Sequence, residues 1–243
     1  DHDYGWNDAD KSYPLKQASR KVFMDYWNNP SYGENNEGTY TKITKNDVDI
    51  FLMDDRWFRN SDGLPDSING KPNVDKLMWG KQQMEWLKNS LLNSQGNPMI
   101  SFRIITTGSQ VLNPLSPYDC AYHYPTELIE LLDFIRDNKI DGVLFLTGDR
   151  HHSEVIKVKK DGIYALYDIT ASPLTSGSHK FSGPEKNNPY RVVGVEDIQN
   201  FSNVIISGPK NNRTLTVEFI SPKGEKLNQW SVNEKEISYE KKK

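Results

Sequence analysis

Residues 142–154 read Gly-Val-Leu-Phe-Leu-Thr-Gly-Asp-Arg-His-His-Ser-Glu. A run of bulky apolar residues, Val143 to Leu146, gives way at Gly148 to a cluster of ionisable side chains. Short apolar runs of this kind, bounded by a turn residue, read as strands buried on both faces. Open α/β sheets place their sites where such strands end. Two upstream segments follow the same pattern. Val48–Asp54 ends in Asp54-Asp55-Arg56, and Met99–Thr106 ends in Thr107-Gly108-Ser109-Gln110. Helical spacing separates the strands: Met84, Leu87 and Leu91 in Met78–Leu92, then Leu128, Leu131, Leu132 and Ile135 in Pro125–Ile135, where proline suits the first turn. An earlier amphipathic helix is expected over Leu15–Trp27, with Leu15, Ala18, Val22 and Tyr26 as its apolar stripe. A short strand is expected near Gly38–Ile43 and a long loop over 59–77. Beyond about residue 140 no helix is expected. Val155–Lys157, Tyr164–Thr170, Val204–Ser207, Leu215–Phe219 and Lys226–Val232 read as short strands divided by turns such as Asp161-Gly162 and Lys223-Gly224. The expected fold class is therefore α/β. Residues 1–150 form a strand-helix part, and the β-rich residues 151–243 pack on it as a layered sandwich with helices outside.

At 243 residues the chain is long enough to bury a core. No apolar run approaches the roughly 20 residues that span a bilayer, so a transmembrane helix is excluded. The single cysteine, Cys120, excludes an intrachain disulfide framework and a thiolate zinc cluster. A net charge of -3 argues against a duplex nucleic-acid binder. The chain opens on Asp1-His2-Asp3 without an initiator methionine or a signal-peptide pattern, which a processed terminus or a cut piece would both explain.

Asp149 and His151 alternate about Arg150. In an extended or tightly turning segment, residues two apart point the same way, so a carboxylate and an imidazole could share one pocket as a divalent-metal pair, with His152 directed elsewhere. The alternative is that they decorate a loop. Asp1 and Asp3 flank His2 in a similar manner. A neighbouring carboxylate keeps an imidazole protonated longer, as a general acid requires, yet the same residues fit a metal site or a charged terminal loop. Arg56 and Arg59 offer planar forks suited to phosphate, or else pair with Asp54 or Asp55. Gln110 could give an amide oxygen to a hard metal or cap a turn. Trp57, Trp79, Trp86 and Trp230 read as core or rim. Cys120 reads as a buried small residue, with a thiol hydrolase using His123 as base the weaker option. His179, in a Ser/Gly-rich loop, carries no clear signal.

In order along the chain, four motifs resemble those of the alkaline phosphatase D (PhoD-like) metallophosphatases. Asp1-His2-Asp3-Tyr4-Gly5-Trp6-Asn7-Asp8 is similar to their W-D-D-H-D-Y-G-x-N-D segment, and Asp54-Asp55-Arg56-Trp57-Phe58-Arg59 to an L-D-x-R-x-x-R strand end. Ser109-Gln110-Val111 resembles S-x-Q, and Gly148 to Glu154 resembles G-D-x-H-x-x-E. Residues 169–175 and 188–201 are similar to the family's late β region. The resemblance implies a calcineurin-like metallophosphoesterase core, a β-sandwich flanked by helices with metals at strand ends. It implies metal ligands at Asp1, Gln110, Asp149 and His151. His2 would serve the leaving group, Asp3 would orient it, and Arg56 would contact phosphate or support the site. The implied cofactor is a binuclear or multinuclear site holding calcium with iron or another divalent transition metal, and the implied substrate is a phosphate ester. The family's first two motifs would lie before residue 1, so the chain is expected to be the C-terminal portion of the catalytic domain, with the N-terminal half as its missing partner. Export to the periplasm, cell surface or medium is implied as well. The alternative is a non-catalytic binding or structural module that keeps the fold with half the metal site.

Overall fold

The computed structural model describes residues 2–239. In chain order the elements are α1 (Lys16–Tyr26), β1 (Thr41–Lys45), β2 (Val48–Leu52), the small ribbon β3 (Ser67–Ile68) and β4 (Lys71–Pro72), α2 (Gly80–Gln95), β5 (Phe102–Thr106), α3 (Pro125–Asp137), β6 (Val143–Thr147), β7 (Ser153–Val158), β8 (Leu166–Thr170), β9 (Arg191–Val195), β10 (Phe201–Ser207), β11 (Thr214–Ile220) and β12 (Lys226–Asn233). Seven strands form one mixed sheet in the order β1-β2-β5-β6-β8-β7-β9. Its centre, β2-β5-β6-β8, is parallel, and β1, β7 and β9 join antiparallel at the flanks. The antiparallel sheet β10-β11-β12 forms the second layer.

Alternation along the central strands assigns each face. Phe51, Ile105, Val143, Phe145, Ile156 and Leu166 meet the buried side chains of α2 and α3, including Met84, Leu87, Leu91, Leu128, Leu131 and Ile135. Their neighbours Val48, Phe102, Ile104, Leu144, Val155, Tyr167 and Ile169 face the other way, against Leu215, Val217, Phe219 and Val232 of the small sheet. Strands covered on both faces favour apolar residues at every position, which explains the run in β6; β5 breaks its run only at Arg103, which is buried and donates to the carbonyls of Asp141 and Ser94. In β11 the inward residues Leu215, Val217 and Phe219 alternate with more exposed ones, as in a sheet with one wet face. The result is helices, seven-stranded sheet and three-stranded sheet in layers, the expected fold class.

Two details fix α2. Its N-terminal N–H groups at Met78, Trp79 and Gly80 donate to the Glu127 carboxylate of α3, at 2.5, 3.0 and 2.7 Å. An anion suits the positive end of a helix dipole, so one carboxylate locks the two helices together. Gly80 has φ 74°, and a Cβ there would come within 2.7 Å of Phe58.

Helix α1 forms where the spacing predicts it, but it turns a different face inward. Leu15 and Val22 are more than half exposed and Tyr26 more still, and the helix has no buried residue. Lys16 instead lies 4.6 Å from the Trp57 ring, and Arg20 donates to the carbonyls of Gly38 and Tyr32 at 2.7 and 2.8 Å. Cationic side chains with long stems thus make the contact that the apolar stripe was expected to make. Among the described residues, no helix is long and apolar enough to cross a membrane.

Candidate metal and phosphate site

The parallel strands bring their C-terminal ends to one edge. Met53 N–H donates to Thr106 O, Gly148 N–H to Gly108 O and Ala171 N–H to Thr147 O, so the segments after β2, β5, β6 and β8 lie side by side. Beside them opens a cavity of about 660 Å³ lined by His2, Asp8, Asp62, Asp119, Asp149, His151 and His179, among others. This is the size range of a small-molecule site.

Asp149 and His151 sit in this wall with φ 69° and 58°, in the left-handed region, with the tight turn rather than an extended segment directing them outward. Arg150 and His152 are more deeply buried, yet both border the same cavity, so the expectation that His152 is directed elsewhere does not hold. His151 Nδ1 is 2.6 Å from the Gly177 carbonyl. A carbonyl only accepts, so that nitrogen carries a proton, and in the neutral ring the lone pair is on Nε2.

The wall continues inward into a polar network, of which Arg150, His152 and Glu185 still border the cavity. Arg150 donates to both Glu185 oxygens, to Ser116 Oγ and to Gln110 Oε1. Gln110 Oε1 also accepts from Asn113, while its Nε2 donates to Glu154 and Thr170, each at 2.8 Å. Glu154 is paired with Arg191 at 2.7 Å and with His152 at 3.2 Å. Burial pushes the Glu154 carboxyl upward, but His152, Arg191 and Gln110 outweigh it and hold it below the usual glutamate range. Asp168 anchors the neighbouring loop by accepting from Val111 N–H, Leu112 N–H and Thr147 Oγ1. Burial pushes its carboxyl up to about 6.

The expected site residues therefore separate. His2, Asp149 and His151 share the cavity. Asp3 is exposed and is not among the described residues that line it. Asp1 lies outside the described residues. Gln110 is fully buried beneath the wall with all four hydrogen-bonding positions engaged, so a metal would have to displace Asn113 or Arg150 from its oxygen. Arg56 is nearly buried and pairs at 2.5 Å with Asp119, which Arg59 also grips. The partner is neither Asp54 nor Asp55. Asp54 caps the N–H groups of Arg56, Trp57 and Thr39, and Asp55 accepts from Ser109. Arg56 thus reaches the cavity through Asp119.

Two groups escaped the sequence reading. Asp8, Asp62 and Asp119 place carboxylate oxygens within 4.8 Å of one another on the cavity wall, and His152, Glu154 and Glu185 do the same in the buried network. Arginines already neutralise Asp62 and Asp119 in the first and both glutamates in the second. Asp8, at the end of the Asp1–Asp8 motif, and His152 and Glu154, within the Gly148–Glu154 motif, had a sequence signal; Asp62, Asp119 and Glu185 had none. Asp119 follows a Pro-rich loop with no periodicity to mark it.

A family model described as PhoD-like phosphatase matches residues 2–207. The chain belongs to the PhoD-like phosphatase family. Alkaline phosphatase D of Bacillus subtilis (strain 168) is 28% identical over 111 residues, 42% of this chain and 19% of that protein. The solved structure of PhoD superposes with a TM-score of 0.71 at 15% identity, covering 96% of this chain and 52% of that one. A purple acid phosphatase from yellow lupin (Lupinus luteus) seeds superposes with a TM-score of 0.48 at 12% identity, over 83% of this chain and 34% of its own. The chain thus spans about half of the PhoD structure, whose fold it shares, and about a fifth of the Bacillus relative.

Cys120 and His123 also border the cavity, but the thiol is poorly placed to act as a nucleophile. The Cys120 side chain is fully buried, and burial pushes the thiol up to about 12. His123 has its two nitrogens at 2.9 Å from Asp66 and 2.8 Å from the Ser116 carbonyl, so it holds no base for the thiol. Iodoacetamide is expected to leave metal binding and phosphate-ester hydrolysis unchanged, because the thiolate is both scarce and covered. Mass spectrometry of the treated native protein checks this, and rapid alkylation with loss of activity would refute it.

Proposed function

We propose that this chain is the C-terminal part of the catalytic domain of a metal-dependent phosphoesterase acting on phosphomonoesters or phosphodiesters. The observation that carries the reading is the convergence of His2, Asp149 and His151 on one cavity at the strand ends of a PhoD-like fold. The cavity wall is rich in carboxylates, with Asp8, Asp62, Asp66, Asp119 and Asp149 in its lining. Arg59, Lys76 and Arg56 already pair with Asp62, Asp66 and Asp119, so the charge of this wall is in part compensated from within the chain.

The donor set suits a metal. Asp149 offers carboxylate oxygens and His151 an Nε2 lone pair fixed in place, a mixed set that accepts calcium through oxygen and a transition metal through imidazole. Asp1 would add a further carboxylate. Bound metals would activate water and neutralise charge on the phosphoryl oxygens. The chain's own contribution is otherwise orientation and proton transfer. His2, on the cavity rim, would give a proton to the departing oxygen, with Asp3 orienting it. Arg56 would hold Asp119 and the adjoining wall in place. The remaining metal ligands would come from an N-terminal half of the domain. Export from the cytoplasm belongs to the same proposal.

The competing reading is a binding or structural module. It is favoured by the full engagement of Gln110 and the pairing of Arg56 with Asp119, which leave fewer residues for metal and phosphate. Hydrolysis of bis(p-nitrophenyl) phosphate and p-nitrophenyl phosphate, with Ca²⁺, Mn²⁺ and Co²⁺ added singly and in pairs, separates the two. Metal-dependent turnover that falls about 100-fold or more in His2→Ala supports the phosphoesterase, since general acid catalysis contributes roughly 10²–10⁴-fold. A full-length protein that binds no metal, or whose activity ignores His2→Ala, is not the enzyme proposed.

A further inference from the structure

The loop 175–181 wraps His151 closely. Gly177 O accepts from His151 Nδ1 at 2.6 Å, and His179 N–H donates to His151 O at 2.7 Å. The two imidazoles stack with ring centroids 4.6 Å apart and planes 18° from parallel. Both rings border the cavity. The loop is itself tied down. Asp197 N–H donates to His179 O at 3.2 Å, and Gln199 Nε2 donates to the carbonyls of Thr175 and Ser176 at 3.0 Å each. At its far end Phe181 lies between the Arg191 guanidinium, 3.4 Å from its centroid, and the His152 ring at 4.6 Å. The loop is therefore fastened, through Arg191 and His152, to the buried network next to His151.

An imidazole ring can still rotate about χ2 when one nitrogen is hydrogen-bonded, because that torsion is broad. A flat neighbour stacked on its face removes the freedom. The Gly177 carbonyl fixes the tautomer and the His179 ring fixes the plane, so the lone pair of His151 Nε2 keeps one direction. We infer that His179 is a positioning residue for His151: through ring stacking, it holds the His151 imidazole in the orientation that ligates metal. This rests on the reading of His151 as a metal ligand. Partners of this kind typically account for about 10–100-fold in metal affinity.

The test is calorimetric titration with Co²⁺ alone of the parent protein and of His151→Ala, His179→Ala and His179→Phe, with the visible absorption of bound Co²⁺ as the second readout and circular dichroism as the check on folding. His179→Ala is expected to weaken Co²⁺ binding at least about tenfold at unchanged stoichiometry and to alter the Co²⁺ bands, because the imidazole ligand is retained but loosened. His179→Phe keeps a flat ring without nitrogen and is expected to stay within about twofold of the parent. Unchanged affinity and bands in His179→Ala would overturn the inference. Equal losses in His179→Ala and His179→Phe would overturn it too, since the nitrogen and not the stacking would then matter. His151→Ala reports on the underlying reading by itself: if it binds Co²⁺ as the parent does, His151 is no ligand and both proposals fall. If His151→Ala loses the site while His179→Ala does not, only the positioning role fails.

Discussion

Asp149→Asn is expected to lower divalent-metal affinity by at least about 100-fold and metal-dependent hydrolysis by about 10²–10³-fold, while the protein stays folded. The choice of Asn follows from the backbone. Asp149 has φ 69°, a conformation that Asn and Asp enter far more readily than other non-glycine residues. Asp149→Ala would mix loss of the ligand with backbone strain, whereas Asp149→Asn keeps the turn and removes the charge. A direct ligand should cost at least the upper end of what outer-shell partners cost, which is about 100-fold. Metal polarisation supplies several kcal/mol of transition-state stabilisation, and each 1.36 kcal/mol is a factor of ten in rate. Thermal denaturation without metal should give matching midpoints for parent and Asp149→Asn. Calorimetry with Mn²⁺ and hydrolysis of bis(p-nitrophenyl) phosphate supply the other two readouts. Parent-like metal binding in a folded Asp149→Asn would remove Asp149 from the site and with it the main support for the proposed chemistry.

The residues that made this site visible in the sequence are the ones whose neighbours obey simple periodicity. Strands β2, β5 and β6 are covered on both faces, so their runs are apolar except at Asp49 and Arg103, and their ends are sharply marked. The clusters after them stand out for that reason. Strand β9 escaped because it lies at the sheet edge, where most of its residues are partly or largely exposed and the only fully buried one is Val195. Gly194 interrupts it where a Cβ would come within 2.9 Å of Phe181 and Arg191. For α1 the periodicity gave the helix and misjudged its inward face. Spacing reports that one side is more apolar than the other. It does not report that Trp57 and two carbonyls offer better partners to Lys16 and Arg20 on another side. Gln110 shows a related limit. Its position after β5 was legible, but whether its oxygen faces a metal or Arg150 depends on Glu185 and Asn113, which lie 75 and 3 positions away in sequence. His179 was invisible for the same reason, since its meaning comes from stacking on a ring 28 positions earlier.

Glu154→Leu is expected to destabilise the protein by about 3–5 kcal/mol, because breaking a buried ion pair from one side leaves the other charge uncompensated. The abandoned partners are explicit: Arg191, which still donates to Glu185 O at 2.8 Å, the His152 ring, and one N–H of the Gln110 amide. A typical domain has about 5–15 kcal/mol in total, so a loss of this size removes a large share of it. The double variant Glu154→Leu with Arg191→Met should recover much of the loss, since replacing both members of a buried pair by apolar residues is often neutral or better. The pH dependence sharpens the test. The Glu154 carboxyl is held below its usual range in the folded protein. A depressed folded value means that its stabilisation is present above the unfolded value and is lost as pH falls through the folded one, so the parent should lose this part progressively below the ordinary glutamate value. Asp168 runs the opposite way. With its folded value raised to about 6, its contribution is present below the unfolded carboxylate value and is lost as pH rises through about 6. Urea unfolding from pH 3 to 7 should therefore show an acid limb that Glu154→Leu flattens and a fall between about pH 4 and 6 that Asp168→Asn removes, the amide serving because its oxygen can accept from Val111 and Leu112 while its NH₂ group donates to Thr147. A Glu154→Leu protein as stable as the parent, with its acid limb intact, would mean that the pair with Arg191 and His152 contributes nothing net and that the wall carrying Asp149 and His151 is held by other contacts.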